Sequence, residues 1–239
     1  MRRADRPDNP LIDRASRILA YPYFALLDRF TWHRSDRVPL REGAIVAPNH
    51  QSFYDPVLLS IAAGRRVYYM AWDKYFHYPL LGSLMRLYGA VPVDIFNPGP
   101  SAYASLVRML RDGHLCGVFP EGGRTKDGLP DPPRPGVAAL ALRAGVPIVP
   151  VTICGAFRVW PYWRWLPRTG PIEMLFHEPI AVSRDRGVSR EGRRARRREL
   201  AMEVMLRICN GFRELGRPEF AAAGRRKLLE SGSESARPA

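Results

Sequence analysis

The sequence contains few cysteines and few acidic residues. Its three cysteines, Cys116, Cys154 and Cys209, are odd in number and widely spaced. This pattern argues against a disulfide framework or a zinc site and predicts reduced, buried thiols in a cytosolic compartment. Aspartate and glutamate number 23 against 37 lysines and arginines, which gives a net charge of +14. Such a surface favours anionic partners, namely nucleic acid, acidic lipid head groups or phosphorylated substrates, and charge alone does not choose among them.

Long apolar runs are also lacking. The main candidate, the uncharged run from Ile18 to Leu27, has ten residues, whereas a membrane-spanning helix needs about 20. The run begins late for a secretory signal peptide, contains Pro22, and is followed by no small-residue cleavage site. We therefore expect a protein that stays inside the cell and does not cross the membrane.

Composition predicts one α/β domain with flanking segments in the 239 residues. The predicted segments are a disordered tail (1–9), an amphipathic membrane-interface helix region (10–34), the α/β core (35–182), a basic C-terminal helix packing on the core (183–215) and a second disordered tail (216–239). In the second segment, leucine and aromatic bulk beside arginine is typical of a helix in a membrane interface, and Pro22 should break or kink it. A helix packed on the domain's own core fits the same pattern, and both interpretations stand.

Strand-like and helix-like stretches alternate along the core. The predicted strands are residues 44–47, 67–72, 91–93, 115–119, 148–153 and 172–176. The predicted helices are residues 56–63, 79–87, 101–112 and 137–143. The first of these helices has Asp55 as its expected N-cap and Pro56 at its first position. The alternation predicts an α/β fold with a mostly parallel sheet flanked by helices.

The first candidate site is the segment Asn49-His50-Gln51-Ser52-Phe53-Tyr54-Asp55, where a predicted strand ends and a helix begins. Catalytic groups in open α/β sheets collect at the carboxyl ends of strands. Five steps along one helix would put His50 and Asp55 on different faces, but a turn between them could fold the carboxylate back to the imidazole. Such a pair forms a general base that activates a hydroxyl. A capping aspartate beside an ordinary loop histidine is the alternative interpretation.

The second candidate site is Phe119-Pro120-Glu121-Gly122-Gly123-Arg124-Thr125, which also follows a predicted buried strand. Glycines let backbone amides approach an anion closely, and a guanidinium forks onto phosphate oxygens. The segment is therefore a candidate phosphate cradle, although its spacing is not that of a P-loop. An ordinary strand-to-loop exit would explain the same residues.

Together these segments resemble the glycerolipid acyltransferase family, which is typified by bacterial lysophosphatidate acyltransferases. The resemblance extends over residues 44–180 and rests on four motifs in the family's order: residues 49–55, 89–95, 119–122 and 146–151. The second motif departs from the family at Ile95, where an arginine that helps to bind substrate phosphate is common. Arg134, which precedes Pro135-Gly136, stands where the family commonly has lysine.

The resemblance implies a catalytic pair in which His50 is the general base and Asp55 its partner. It also implies a set of substrate-binding residues: Glu121, Gly122, Gly123, Arg124 and Arg134. The implied reaction moves a fatty acyl group directly from acyl-CoA or an acyl carrier protein to the free hydroxyl of a lysophospholipid, with lysophosphatidate as the expected acceptor. No metal, no other cofactor and no covalent acyl-enzyme are implied. The departure at Ile95 leaves another lysolipid or a glycolipid open as the acceptor.

Arginines concentrate between Arg190 and Arg198, at the start of the basic C-terminal helix. With the N-terminal segment, they are expected to dock the protein on an anionic membrane surface, so the predicted location is the cytoplasm, peripheral on the inner face of the cell membrane. A solvated basic face, a nucleic-acid-binding protein and a lipid-binding relative without catalysis are the alternatives. Because no nucleic-acid-binding module is recognisable, nucleic acid is not an expected partner.

Overall fold

The computed structural model describes residues 10–93, 100–184 and 189–234. Within these ranges, seven strands form one sheet in the order β1-β7-β6-β2-β5-β3-β4. The strands are β1 (Thr31–His33), β2 (Ala44–Pro48), β3 (Val67–Trp72), β4 (Ala90–Val93), β5 (Leu115–Gly117), β6 (Ile148–Cys154) and β7 (Glu173–Phe176). All neighbouring pairs are parallel except β6 and β7, which are antiparallel. The predicted α/β fold with a mostly parallel sheet is confirmed.

Eight α-helices accompany the sheet in the described ranges. They are α1 (Pro10–Leu27), α2 (Asp55–Ala62), α3 (Pro79–Leu87), α4 (Pro100–Arg111), α5 (Gly136–Ala144), α6 (Ala156–Val159), α7 (Arg190–Glu214) and α8 (Pro218–Glu234). Short 3-10 helices cover Ser35–Arg37 and Asp73–His77. One hydrophobic core lies between the sheet and α4, α5, α7 and α8, and a second lies between the sheet and α1, α2 and α6.

The central strand β2 is covered on both faces. All five of its residues are buried. Because successive side chains of a strand point to opposite faces, Ile45 joins the core under α4 and α5, whereas Val46 joins the core under α2. Parallel neighbours on both sides, β5 and β6, require such an apolar strand. The carboxyl end of β2, from which the first motif leaves, is thereby fixed at the carboxyl edge of the sheet, meaning the edge where the parallel strands end.

The C-terminal segment differs from the sequence prediction. Residues 216–239 are predicted as a disordered tail, but Pro218–Glu234 forms helix α8. Ala221 and Leu228 of this helix are buried in the same core as α7. The prediction is wrong because these two apolar side chains, seven residues apart on one helix face, find a partner surface that composition does not reveal.

The N-terminal segment forms the long helix α1, with Pro22 inside it. The helix continues through Pro22 without the expected break, and a kink at Pro22 stays a prediction. Phe24 is buried, whereas Leu19 and Leu26 are 78% and 80% exposed. One face of α1 thus contacts the protein core, and its role at a membrane interface stays a prediction. No helix in the described ranges has the length and apolar character needed to cross a bilayer.

The arginine-rich start of α7 lies at the amino edge of the sheet, opposite the carboxyl edge. Arg196 of α7 donates to the hydroxyl of Ser183 at 3.0 Å. The neighbouring Arg184 donates to the carbonyl of Ala144 at 3.2 Å, just before β6 begins. The arginines of residues 190–198 are therefore remote from the edge at which the first motif lies.

Candidate active site

Asn49 holds the loop that follows β2 against β6. Its side-chain amide donates to the carbonyl of Ile153 at 2.9 Å, and its Oδ1 accepts from the N–H of the same residue at 2.7 Å. This two-point link substitutes for strand pairing and satisfies buried backbone groups. Asn49 has no predicted role of its own, although a primary amide directly after a buried strand is a signal for such a link.

His50 and Asp55 form a hydrogen-bonded pair. His50 Nδ1 lies 2.8 Å from Asp55 Oδ2. The same Oδ2 accepts from the backbone N–H groups of Gln51 at 2.6 Å and Ser52 at 2.8 Å. Because this oxygen is an acceptor from two amides, Nδ1 must carry the proton that it donates to the carboxylate. Nε2 is then the unprotonated nitrogen, which is the arrangement a general base requires.

Asp55 does not cap α2, contrary to the sequence expectation. Helix α2 begins at Asp55 itself, and Tyr54 occupies the N-cap position without a side-chain hydrogen bond. The carboxylate instead turns back to the loop, where it serves His50, Gln51 and Ser52. Three N–H donors around one buried oxygen hold that oxygen more strongly than a single capping bond would.

The ring of His50 is held between the two motifs. It stacks on Phe119 with ring centroids 3.8 Å apart. The backbone carbonyl of His50 accepts from the N–H of Thr125 at 2.8 Å. The side chain of His50 is 18% exposed, whereas that of Asp55 is fully buried. The imidazole therefore meets solvent at one edge and its carboxylate partner lies behind it.

Glu121 joins the two motifs from inside the protein. Its Oε1 accepts from the backbone N–H of His50 at 2.7 Å, and its Oε2 accepts from the N–H of Asp131 at 3.0 Å. Burial raises the pKa of Glu121 to about 8 and outweighs the two hydrogen bonds, which act to lower it. Both carboxylate oxygens are thus directed at protein amides, and the side chain is only 6% exposed.

Gly122 and Arg134 lie side by side. Gly122 has φ +71°, and a Cβ there would lie 2.6 Å from Arg134 Cδ and 2.7 Å from its Nε. The positive φ favours glycine, because L side chains rarely adopt it, and a Cβ would also require the outer part of the Arg134 side chain to move. The N–H of Arg134 donates to the carbonyl of Pro120 at 2.8 Å. Gly123 is exposed and has open space around its Cα.

Arg124 reaches over the first motif. Its guanidinium carbon lies 3.5 Å from the ring centroid of Phe53, in a cation–π contact. Burial lowers the pKa of Arg124, and the nearby charges of Tyr75 and Asp55 oppose that change. Phe53 is 41% exposed, so the contact lies at the mouth of the site and not in the core.

The structure therefore brings the predicted residues of both motifs together at the carboxyl edge. His50, Asp55 and Glu121 are joined by hydrogen bonds, Arg124 covers the first motif, and Arg134 lies against Gly122. Ile95, at which the second motif departs from the family pattern, lies outside the described residues. Among the described residues, no group of three or more histidine, cysteine, aspartate or glutamate side chains is arranged to hold a metal ion.

Comparison with known proteins finds 1-acyl-sn-glycerol-3-phosphate acyltransferases among the relatives. The 1-acyl-sn-glycerol-3-phosphate acyltransferase of Bacillus subtilis is 27% identical over 149 residues, which are 62% of this chain and 72% of that protein. The enzyme of the same name from Streptococcus pneumoniae is 29% identical over 165 residues, 67% of this chain and 59% of that protein. A chloroplastic relative from Brassica napus is 29% identical over 143 residues, and the match spans only 41% of its length.

A solved structure shares the fold. The crystal structure of the 1-acyl-sn-glycerophosphate (LPA) acyltransferase PlsC from Thermotoga maritima matches with a TM-score of 0.65 and 24% identity, over 80% of this chain and 78% of that one. The family model described as Acyltransferase matches residues 29–154, just over half of the chain and the whole of both motifs. The chain belongs to the acyltransferase family.

Proposed function

We propose that this acyltransferase transfers a fatty acyl group from a thioester donor to the free hydroxyl of a lysophospholipid, with His50 as the general base. The observation that carries the proposal is the His50–Asp55 pair, in which a fully buried carboxylate orients an imidazole that is 18% exposed. Lysophosphatidate is the proposed acceptor, because it is the substrate in the names of the relatives from Bacillus subtilis and Streptococcus pneumoniae.

The proposed reaction is a direct transfer, without a covalent acyl-enzyme, that passes through a tetrahedral intermediate. His50 Nε2 takes the proton of the acceptor hydroxyl as its oxygen attacks the carbonyl carbon of the thioester. Asp55 stabilises the imidazolium that forms, 2.8 Å from Nδ1. The C–S bond then breaks, the leaving thiolate takes the proton from Nε2, and the products are the ester and the free thiol of CoA or acyl carrier protein.

The phosphate of the acceptor is proposed to lie against Arg124, Arg134 and the backbone amides of Gly122 and Gly123. These two glycines are exposed at the carboxyl edge. Arg134 lies against Gly122, and the guanidinium of Arg124 lies over Phe53 of the first motif. Arginine binds phosphate through paired hydrogen bonds, and glycine lets the main chain approach an anion closely. Because both oxygens of Glu121 bind backbone amides, its proposed role is to position the loops and not to contact substrate.

Contact with an anionic membrane, on the inner face of the cell membrane, is part of the same proposal. Trp163, Trp165 and Leu166, in the loop after β6 and α6, are 56%, 88% and 67% exposed. Aromatic and leucine side chains of this kind lie favourably in the lipid head-group region. Since β6 ends at the carboxyl edge, this loop lies on the same side as the first motif. The arginines of residues 190–198 are at the opposite edge, so the proposed docking surface is the aromatic loop.

The test is acyl transfer from labelled acyl-CoA, and separately from acyl carrier protein, to a panel of lysolipids and glycolipids. We expect His50→Ala to lower the rate by about a hundredfold or more, with unchanged binding to vesicles that contain anionic lipid. His33→Ala is the matched control, because His33 is exposed on the edge strand β1. Equal rates for His50→Ala and wild type would refute the proposed base, and no transfer from either donor to any acceptor would refute the proposed reaction.

A further inference from the structure

Helix α8 reaches the loop that carries the segment from Phe119 to Thr125. Lys227 Nζ lies 2.6 Å from Asp131 Oδ1 and 2.8 Å from Asp127 Oδ2. Both aspartates belong to the stretch between β5 and α5. The family model matches residues 29–154, so the helix that supplies this lysine lies outside that match.

Each aspartate is connected to the main chain of His50 through hydrogen bonds. The backbone N–H of Asp131 donates to Glu121, whose other oxygen accepts from the N–H of His50. Asp127 Oδ1 accepts from the hydroxyl of Thr125 at 3.0 Å. The N–H of Thr125 in turn donates to the carbonyl of His50. Two short paths therefore run from Lys227, one to the amide and one to the carbonyl of the same histidine.

The packing of α8 fixes where Lys227 lies. Leu228, the next residue, is fully buried. Gly224, one turn earlier, lies so close to the loop that a Cβ there would be 3.1 Å from both Pro130 Cδ and Cys209 Sγ. The lysine thus extends from a well-seated helix, and its side chain is only 29% exposed.

We propose that Lys227 is a positioning residue for the proposed acyl transfer: by neutralising and holding Asp127 and Asp131, it keeps the main chain of His50 at the orientation that the base requires. Without the ammonium group, two carboxylates would face each other beside the buried Glu121. Their repulsion would move the loop, and with it the hydrogen bonds that fix His50. The inference rests on the proposed function for its kinetic consequence, but not for its structural one.

The kinetic test compares Lys227→Ala, Lys227→Arg and the control Arg226→Ala, which removes the same charge from the exposed neighbouring residue. We expect Lys227→Ala to lower kcat by about tenfold with KM unchanged. Lys227→Arg should restore the rate, because it can bridge the same carboxylates, and Arg226→Ala should behave as wild type. An unchanged kcat in Lys227→Ala, or an equal loss in Arg226→Ala, would overturn the proposal.

A double variant distinguishes positioning from general stabilisation. If Lys227 acts in part through Glu121, adding Lys227→Ala to Glu121→Gln should cost less rate than the sum of the two single losses, because Glu121→Gln already breaks one of the two paths. Full additivity of the two losses would contradict the proposed path.

Hydrogen exchange tests the structural consequence without activity. In Lys227→Ala we expect faster amide exchange in residues 49–55 and 125–131, with β6 and the buried half of α7 unchanged. Uniform acceleration over the chain, or none, would overturn the proposal. Hydrogen exchange tests the structural role of Lys227 even if the wild-type protein transfers acyl groups to none of the tested acceptors.

Discussion

Replacing Asp55 by alanine and by asparagine should separate what this residue does for the fold from what it does for the reaction. Asp55 is fully buried, and its Oδ2 accepts hydrogen bonds from three N–H groups, those of His50, Gln51 and Ser52. Alanine leaves all three donors without that acceptor, at a cost of about 1–3 kcal/mol for each buried group left unsatisfied. Because the loop can relax and the edge of His50 is open to water, we expect the free energy of unfolding of Asp55→Ala to be lower by about 2–4 kcal/mol in total.

The Asp55→Asn variant should keep the structure but transfer acyl groups more slowly. Among the described residues, Oδ1 of Asp55 has no hydrogen-bond partner, so the amide NH2 can occupy that position while the amide oxygen retains the three donors. A carboxylate and an imidazolium 2.8 Å apart attract by roughly 6 kcal/mol at an effective dielectric constant of about 20. Solvent at the exposed edge of His50 reduces this attraction, and we expect Asp55→Asn to slow acyl transfer by about a hundred- to a thousandfold.

Thermal unfolding and single-turnover acyl transfer, measured on both variants, provide the assay. The alanine variant should unfold at a temperature roughly 5–15 °C lower than wild type, and the asparagine variant close to wild type. If Asp55→Asn retained the wild-type rate, the charge would have no part in catalysis. If it were destabilised as much as Asp55→Ala, the assignment of Oδ2 as the common acceptor would be wrong.

Two further predictions concern the contact between α7 and the sheet. Burial lowers the pKa of His177 from 6.5 to about 4, so the unfolded chain binds a proton that the folded protein does not. The free energy of unfolding should therefore fall by about 3 kcal/mol as the pH drops from about 6.5 to about 4. In His177→Gln, the free energy of unfolding measured with urea should fall less steeply with pH over that range. Gly211→Ala should destabilise the protein by about 2–3 kcal/mol, because its Cβ would lie 2.1 Å from Thr152 Oγ1. The control Gly136→Ala, which meets open space, should unfold at the wild-type urea concentration, and equal midpoints for the two glycine variants would contradict the packing argument.

Much of the core could be predicted from the sequence because each element is defined locally. Buried strands such as β6 are continuous apolar runs, and helices such as α3 begin at a proline and end near a glycine. The pairing of His50 with Asp55 was also accessible, because the strand end and the helix start limit where both side chains can lie. These features depend on residues within one short stretch of chain.

Features that depend on distant parts of the chain were missed. Strand β1 pairs with β7, and β7 runs antiparallel to β6, but no local pattern specifies either neighbour. The same holds for α8, whose apolar residues are too few to predict burial without knowledge of α7. The turn of the Asp55 carboxylate towards the loop was missed for a related reason. An aspartate before a proline satisfies the rule for a helix cap, and only the folded loop shows the three competing donors.

The ion pair between Lys227 and Asp127 joins residues 100 positions apart in the chain. On a ribosome that adds about 5–20 residues per second, the loop is synthesised roughly 5–20 s before the helix that holds it. During that interval the nascent chain already contains its histidine and its aspartate, but their loop has no support from α8. Catalytic competence should therefore be acquired late in synthesis, after the helical residues beyond position 218 have emerged and docked.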